Sequence, residues 1–151
     1  MPKVRANAIT INYDRQGTGE PLILIPYLAA DYACYAFQVA EYAKHFTCIS
    51  VDLRGAGETD KPEGTYTTEL FADDVAAFMQ ALGIQHAHVA GLSLGAATGM
   101  WLAAKYPDKV NKQNIQHAEL VIFEGCAHAP IYEKVDEFNQ TTLEFLKRHA
   151  G

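Results

Sequence analysis

The stretch HVAGLSLGAATGMWLAAKYP, residues 88–107, changes character halfway along. Its first residues are apolar and suit a buried strand. Its second half reads as a helix stopped before Pro107. At the junction, Gly91-Leu92-Ser93-Leu94-Gly95 places a serine between two glycines. A Gly-x-Ser-x-Gly match is weak alone, arising by chance in roughly one chain in twenty of this length. The context strengthens it, because a strand leading in and a helix leading out are what a nucleophile elbow requires. The bend is so tight that side chains two positions either side of the serine would meet neighbouring backbone. It lifts the hydroxyl above the C-terminal edge of the sheet. It also leaves the Leu94 N–H at a helix N-terminus, where it suits an oxyanion. The competing reading is a glycine-rich turn in which Ser93 only caps the helix.

Outward from this bend, strand and helix alternate. Residues 4–14 read as a hairpin, with Ile9, Ile11 and Tyr13 on one side. Residues 22–25 and 46–51 are short apolar runs, as in strands covered on both faces. Residues 31–45 are expected to be helical, with Asp31 as N-cap. After a polar loop, residues 68–82 form an amphipathic pattern through Leu70, Phe71, Val75, Phe78 and Leu82, closed by Gly83. Downstream of the bend, residues 108–117 are polar and turn-like. Residues 119–123 are predicted as a fourth buried strand. A last helix starts at Pro130 with the stripe Ile131, Val135, Phe138, Thr142 and Phe145. The alternation predicts a parallel sheet with right-handed helical crossovers.

The chain has 151 residues, 49% of them apolar and 20% charged, which fits one soluble globular domain with a real core. Eighteen acidic side chains against 12 Lys and Arg give a net charge of −6. That argues against nucleic acid or an anionic membrane as partner. No apolar run reaches transmembrane length. The start, Met-Pro-Lys-Val-Arg, lacks the apolar stretch of a signal peptide. Cys34, Cys48 and Cys126 are scattered and odd in number, as in a cytoplasmic protein with reduced thiols.

Four segments resemble the α/β-hydrolases, and among these the branch of small lactone and ester hydrolases that includes enol-lactonases. They are PLILIPYLAADYACY (21–35), FTCISVDLRGAGETDKPEGTYTTELFADDVAAFMQALGI (46–84), HVAGLSLGAATGMWLAAKYPDKV (88–110) and AELVIFEGCAHAPIYEKVDEFNQTTLEFLKRHA (118–150). The resemblance implies one truncated α/β-hydrolase domain over residues 1–151. Its fold class is α/β: a mostly parallel sheet with an N-terminal antiparallel hairpin and helices on both faces. Residues 1–110 would run through the nucleophile helix, and 118–151 would supply the terminal strand, histidine loop and helix. The resemblance makes Ser93 the nucleophile and His128 the general base, which takes the Ser93 proton and returns it to the leaving group. It assigns the oxyanion donors to the N–H groups of Leu94 and Leu28. Pro26-Tyr27 stands where the family has His-Gly. Asp52 and Arg54 match positions that brace loops rather than react.

The chain departs from this family after Val110. Relatives continue with another strand, an inserted cap and a further strand carrying the triad acid. Here NKQNIQH leads directly to the terminal strand, and His128 follows Ser93 by only 35 positions. Three consequences are expected. The triad acid is lost, at a cost of about 10⁴ in turnover. Glu124 and Asp108 are the nearest replacements, and both also read as solvated surface charges. Without a cap the site is shallow and wet. Tyr27, Tyr32 and Trp101 are candidate pocket wall, or simply core. The terminal strand docks beside residues 87–92, or on another copy in a homodimer or larger assembly formed by strand exchange.

His86 and His88 share a strand face, but no third ligand accompanies them, so no metal is assigned. Cys126 reads as a small buried thiol. Asp73 and Asp74 complement a helix N-terminus. The expected activity is that of a cofactor-free serine hydrolase of small carboxylic esters or lactones, working slowly through an acyl-Ser93 intermediate. The alternatives are a non-catalytic, self-associating scaffold, and a lyase or ligand receptor on the same fold.

Overall fold

The computed structural model describes residues 1–110, 119 and 121–150. Five strands form one sheet: β1 (Lys3–Ala6), β2 (Ile9–Gln16), β3 (Pro21–Ile25), β4 (Thr47–Val51) and β5 (His88–Gly91). Their order is β1-β2-β4-β3-β5. The first two make the expected hairpin, turning through Asn7 and Ala8, both with positive φ. Two such residues in succession match the right-handed twist of the strands they join. β2 pairs antiparallel with β4, while β4, β3 and β5 are mutually parallel.

Helices cover both faces: α1 (Ala36–Tyr42), α2 (Thr68–Ala81), α3 (Leu94–Lys105), α4 (Pro130–Glu133) and α5 (Val135–Arg148). Successive residues of β3 point to opposite faces. Ile23 and Ile25 join Phe71, Val75 and Phe78 of α2 and Leu102 of α3. Leu22 and Leu24 join Val39 and Tyr42 of α1, Ile131 of α4 and Leu146 of α5. A strand buried on both sides has no polar face, which is why it reads as an unbroken apolar run.

Three expected elements differ. The helix predicted over 31–45 is a 3₁₀ turn, Tyr32–Tyr35, followed by the seven-residue α1. Asp31 does cap it, accepting from the Ala33 N–H at 3.0 Å. The first turn is fastened instead to the strand ends: the Tyr32 N–H bonds Asp52 and the Tyr35 hydroxyl bonds the Ile25 carbonyl. The last helix is interrupted at Lys134, which leaves helical geometry at φ −135°.

The predicted terminal strand is the larger correction. Residues 121–123 are not a strand, and Val121 and Ile122 are exposed at 47% and 74%. Residues 111–118 and 120, and with them most of the predicted turn over 108–117, lie outside the described residues. Val110 takes the place beside β5, in a single parallel bridge to Ala87. Glu119 pairs with Arg148 at 2.7 Å, and Phe123 packs on Phe138 with ring centroids 5.7 Å apart. Those contacts hold the segment along α5 rather than in the sheet. No described helix is long and apolar enough to cross a membrane.

A polar tie joins α2 to the end of α3. The Lys105 ammonium donates to Glu69 and Asp73, and the Tyr106 hydroxyl donates to Asp73 at 2.7 Å. Burial pulls the Asp73 carboxyl upward, but the bonds from Lys105 and Tyr106 outweigh it and hold the group below its usual range. Its stabilising contribution is therefore present above the unfolded value of about 3.9 and fades as pH falls through the lower folded value. The Asp73 side chain is 30% exposed, so the contribution is expected to be under about 1 kcal/mol. Asp73→Asn should flatten this part of the acid limb when urea midpoints are measured against pH.

Candidate active site

The parallel strands deliver three loops to one edge of the sheet: the turn after β3, Asp52 after β4, and Ser93 after β5. Ser93 is exposed and has φ 54° and ψ −112°. Ala29, in the turn after β3, has φ 62°. Side chains in this region are strained by roughly 1–3 kcal/mol each and persist only where the surroundings impose them. Here the surroundings are tight. A Cβ on Gly95 would lie 2.1 Å from the Ile25 carbonyl oxygen, and one on Gly91 would lie 2.3 Å from the Gly95 carbonyl carbon. The two glycines of the motif thus let the bend close on itself and press against the end of β3. Ser93 makes no side-chain capping bond to α3, so capping does not account for the residue.

Leu94 opens α3, and the amide at that position has no partner one turn back. Leu28 sits in the turn after β3, which is closed by a bond from the Ala30 N–H to the Tyr27 carbonyl. Its side chain is 73% exposed. Asp52 braces this edge from within: it is buried and accepts from Asn12 Nδ2, the Tyr32 N–H and the Glu58 N–H at 2.7–2.8 Å. Arg54 forks onto Asp74 through Nε and Nη2, and Asn7 Nδ2 donates to the same carboxylate. The hydrogen bonds it donates to Asp74 raise the guanidinium above its usual value. Asp74 is therefore an internal brace and not merely a complement to the helix end.

His128 is exposed, in the loop before α4. The Tyr132 hydroxyl of α4 donates to the Cys34 carbonyl at 2.8 Å. Its proton being used there, Tyr27 is the donor in the 3.3 Å contact between the two hydroxyls. The histidine-bearing end of the chain is thereby fastened beside the turn that carries Leu28. Among the described residues, no hydrogen bond joins Ser93 to His128 and none links His128 to a carboxylate.

Among the described residues neither predicted substitute acid is hydrogen-bonded to His128. Glu124 is exposed, ends no strand and has no hydrogen bond or ion pair among the described residues. Asp108 follows the C-terminal end of α3, a helix of 12 residues, hence ~18 Å long. The bond from the Ala87 N–H to the Lys109 carbonyl puts it at the start of β5, the opposite edge from Ser93. Tyr27 and Tyr32 are half-buried beside the site, whereas Trp101 is 44% exposed two turns along α3 and is a surface residue.

Two apolar hollows flank β5. One of about 300 Å³ lies under α4 and α5, lined by Leu24, Gln38, Leu92, Ile131 and Phe138. A groove of about 490 Å³ follows its outer edge past Val89, Gly95, Gly99 and Val110. Neither is lined by Ser93 or His128. Ser93 and His128 are both exposed.

His88 is not one of a surface pair. It is 1% exposed, 2.8 Å from Glu20, with Phe46 edge-on to its ring. Among the described residues, no group of three or more His, Cys, Asp or Glu could hold a metal. Burial pushes the Cys34 and Cys48 thiols up to about 12. Cys126 is only half-buried and donates to the Phe123 carbonyl at 3.2 Å.

A strained serine between a parallel strand and a helix, with glycines beneath it, defines the scaffold of an α/β-hydrolase. The comparisons agree: residues 20–118 match the family described by the alpha/beta hydrolase fold, and the chain belongs to it. It is 36% identical over 108 residues to 2-(acetamidomethylene)succinate hydrolase of Mesorhizobium japonicum, covering 72% of this chain and 39% of that protein. It is 29% identical to 3-oxoadipate enol-lactonase 2 of Acinetobacter baylyi, covering 81% of this chain and 46% of that one. The crystal structure of the enol-lactonase from Burkholderia xenovorans LB400 aligns with a TM-score of 0.70 and 34% identity, over 72% of this chain and 44% of that chain. The chain thus spans less than half the length of these relatives.

Proposed function

We propose that this chain hydrolyses small carboxylic esters or lactones through an acyl-enzyme on Ser93. The observation that carries the reading is the strained, exposed serine, held by two glycines that admit no side chain. His128 accepts the Ser93 proton as Oγ bonds to the acyl carbon. The Leu94 and Leu28 N–H groups receive the carbonyl oxygen as it becomes negative. The carbon–oxygen bond to the leaving group then breaks, and the imidazolium returns its proton to that alkoxide. Water repeats the sequence and releases the acid. With no carboxylate bonded to His128 among the described residues, turnover is expected to lie about 10⁴ below that of a complete triad. An enol-lactonase and a succinate-derived hydrolase among the relatives favour small carboxylic acid derivatives as substrates. Fluorophosphonate treatment followed by peptide mass spectrometry should place one adduct on Ser93. A folded protein that stays unlabelled would overturn the reading.

A second reading is favoured by one observation, the exposed Val121 and Ile122 in a chain whose β5 edge carries, among the described residues, only one bridge. In it the chain is a self-associating scaffold, with residues 121–123 of one copy paired to β5 of another. Light scattering that shows a dimer, in a protein that takes no Ser93 label, would select it. A labelled monomer would exclude it.

A further inference from the structure

The two backbone amides that flank His128 share one acceptor. Glu133 Oε2 takes the Ala127 N–H at 2.9 Å, and Oε1 takes the Ala129 N–H at 3.2 Å. A single carboxylate thus straddles the histidine. Glu133 closes α4, and α4 is firmly held. Ile131 is 1% exposed, and its carbonyl accepts from Gln38 Nε2 at 2.9 Å. The next residue, Tyr132, reaches the Cys34 carbonyl. A helix cap would need only the bond to Ala129, the residue before Pro130. The bond to Ala127 lies outside the helix and acts on the loop.

We propose that Glu133 is a positioning residue for His128. It carries the anchorage of α4 to both sides of the histidine, and so sets the direction in which the imidazole leaves the backbone. The proposal rests on the reading of His128 as general base. Bonds from amides to a carboxylate are charge-assisted and roughly twice as strong as neutral ones. Where no acid orients the ring through its second nitrogen, the backbone is the remaining hold. A base displaced by about 1 Å can lose on the order of 10² in rate.

The test compares Glu133→Ala and Glu133→Gln with His128→Ala. It reads kcat and KM on nitrophenyl butyrate and the ring resonances of ¹³C-labelled histidines. Glu133→Ala should lower kcat by roughly 10- to 100-fold with KM within about twofold. Glu133→Gln keeps one acceptor oxygen and should fall between. The His128 resonance should shift or broaden while that of buried His88 stays in place. An unmoved His128 resonance in Glu133→Ala overturns the proposal. So does an unchanged kcat in that variant when His128→Ala abolishes turnover. If His128→Ala keeps full turnover, the general-base reading fails instead, and the resonance alone judges the clamp.

Discussion

Ser93→Ala should lower nitrophenyl ester turnover by about 10²-fold and abolish fluorophosphonate labelling. The size follows from the proposal that no carboxylate serves His128. In a complete triad, removing the serine costs about 10⁶ and removing the acid alone about 10⁴, and these losses are not additive. On that proposal the site has about 10² left to lose. A loss near 10⁶ would mean that a carboxylate does serve His128, and an unchanged rate would mean that Ser93 is not the nucleophile. Ser93→Gly separates chemistry from conformation. At φ 54° glycine carries none of the steric penalty of a side chain. This variant should be as inactive as Ser93→Ala yet more stable by about 1 kcal/mol. Urea unfolding of the two variants checks that.

Gly95→Ala should destabilise the protein by about 1–3 kcal/mol. Its Cβ would lie 2.1 Å from the Ile25 carbonyl oxygen and 2.8 Å from that of Pro26, and both are backbone atoms. Either α3 must lift away from β3, or the turn bearing Leu28 must move. Both responses part the two proposed oxyanion donors, so turnover should fall with stability. Gly99→Ala is the control on the same helix. There the new methyl meets only Val89 Cγ1, at the ordinary distance of 3.4 Å. It should raise stability by about 0.5–1 kcal/mol through the lower chain entropy of alanine. Thermal melts should separate the two by about 2–4 °C per kcal/mol. Equal melting temperatures would show that Gly95 is not required by its contact with β3.

What was legible in the chain was what neighbours along it enforce. Residues 22–25 announce themselves as an unbroken apolar run and 68–82 by helical period, and the structure has β3 and α2 there. The bend at Ser93 is legible for a steric reason: only glycine fits two positions away on either side. The hairpin turn carries no glycine, Asn7 and Ala8 taking positive φ there, and alternation alone revealed it.

Residues 119–123 show where such reading ends. Their apolar, β-branched composition is that of a strand, but a strand exists only beside another, and strand propensity measures fit to a partner. Val110 stands at β5, and Glu119 and Phe123 are held by α5. Asp108 shows the same kind of limit, since sequence distance does not say which edge of the sheet a loop reaches. Asp108 comes 15 positions after Ser93, and a straight helix carries it to the far side.

The partners that sequence missed are all remote: Arg54 with Asp74, His88 with Glu20, Tyr132 with Tyr27. Glu133 was within reach of notice, five positions after His128. Nothing local marks a carboxylate that turns back to grip two amides. By itself, the sequence determined the strands with no polar face, the amphipathic helix and the serine bend, because steric exclusion and hydrophobic period act over a few residues. Only the tertiary structure decided which loops meet at the serine edge, which charges are braces and where the last segment lies. Those outcomes depend on contacts between residues that the chain brings together only once it has folded.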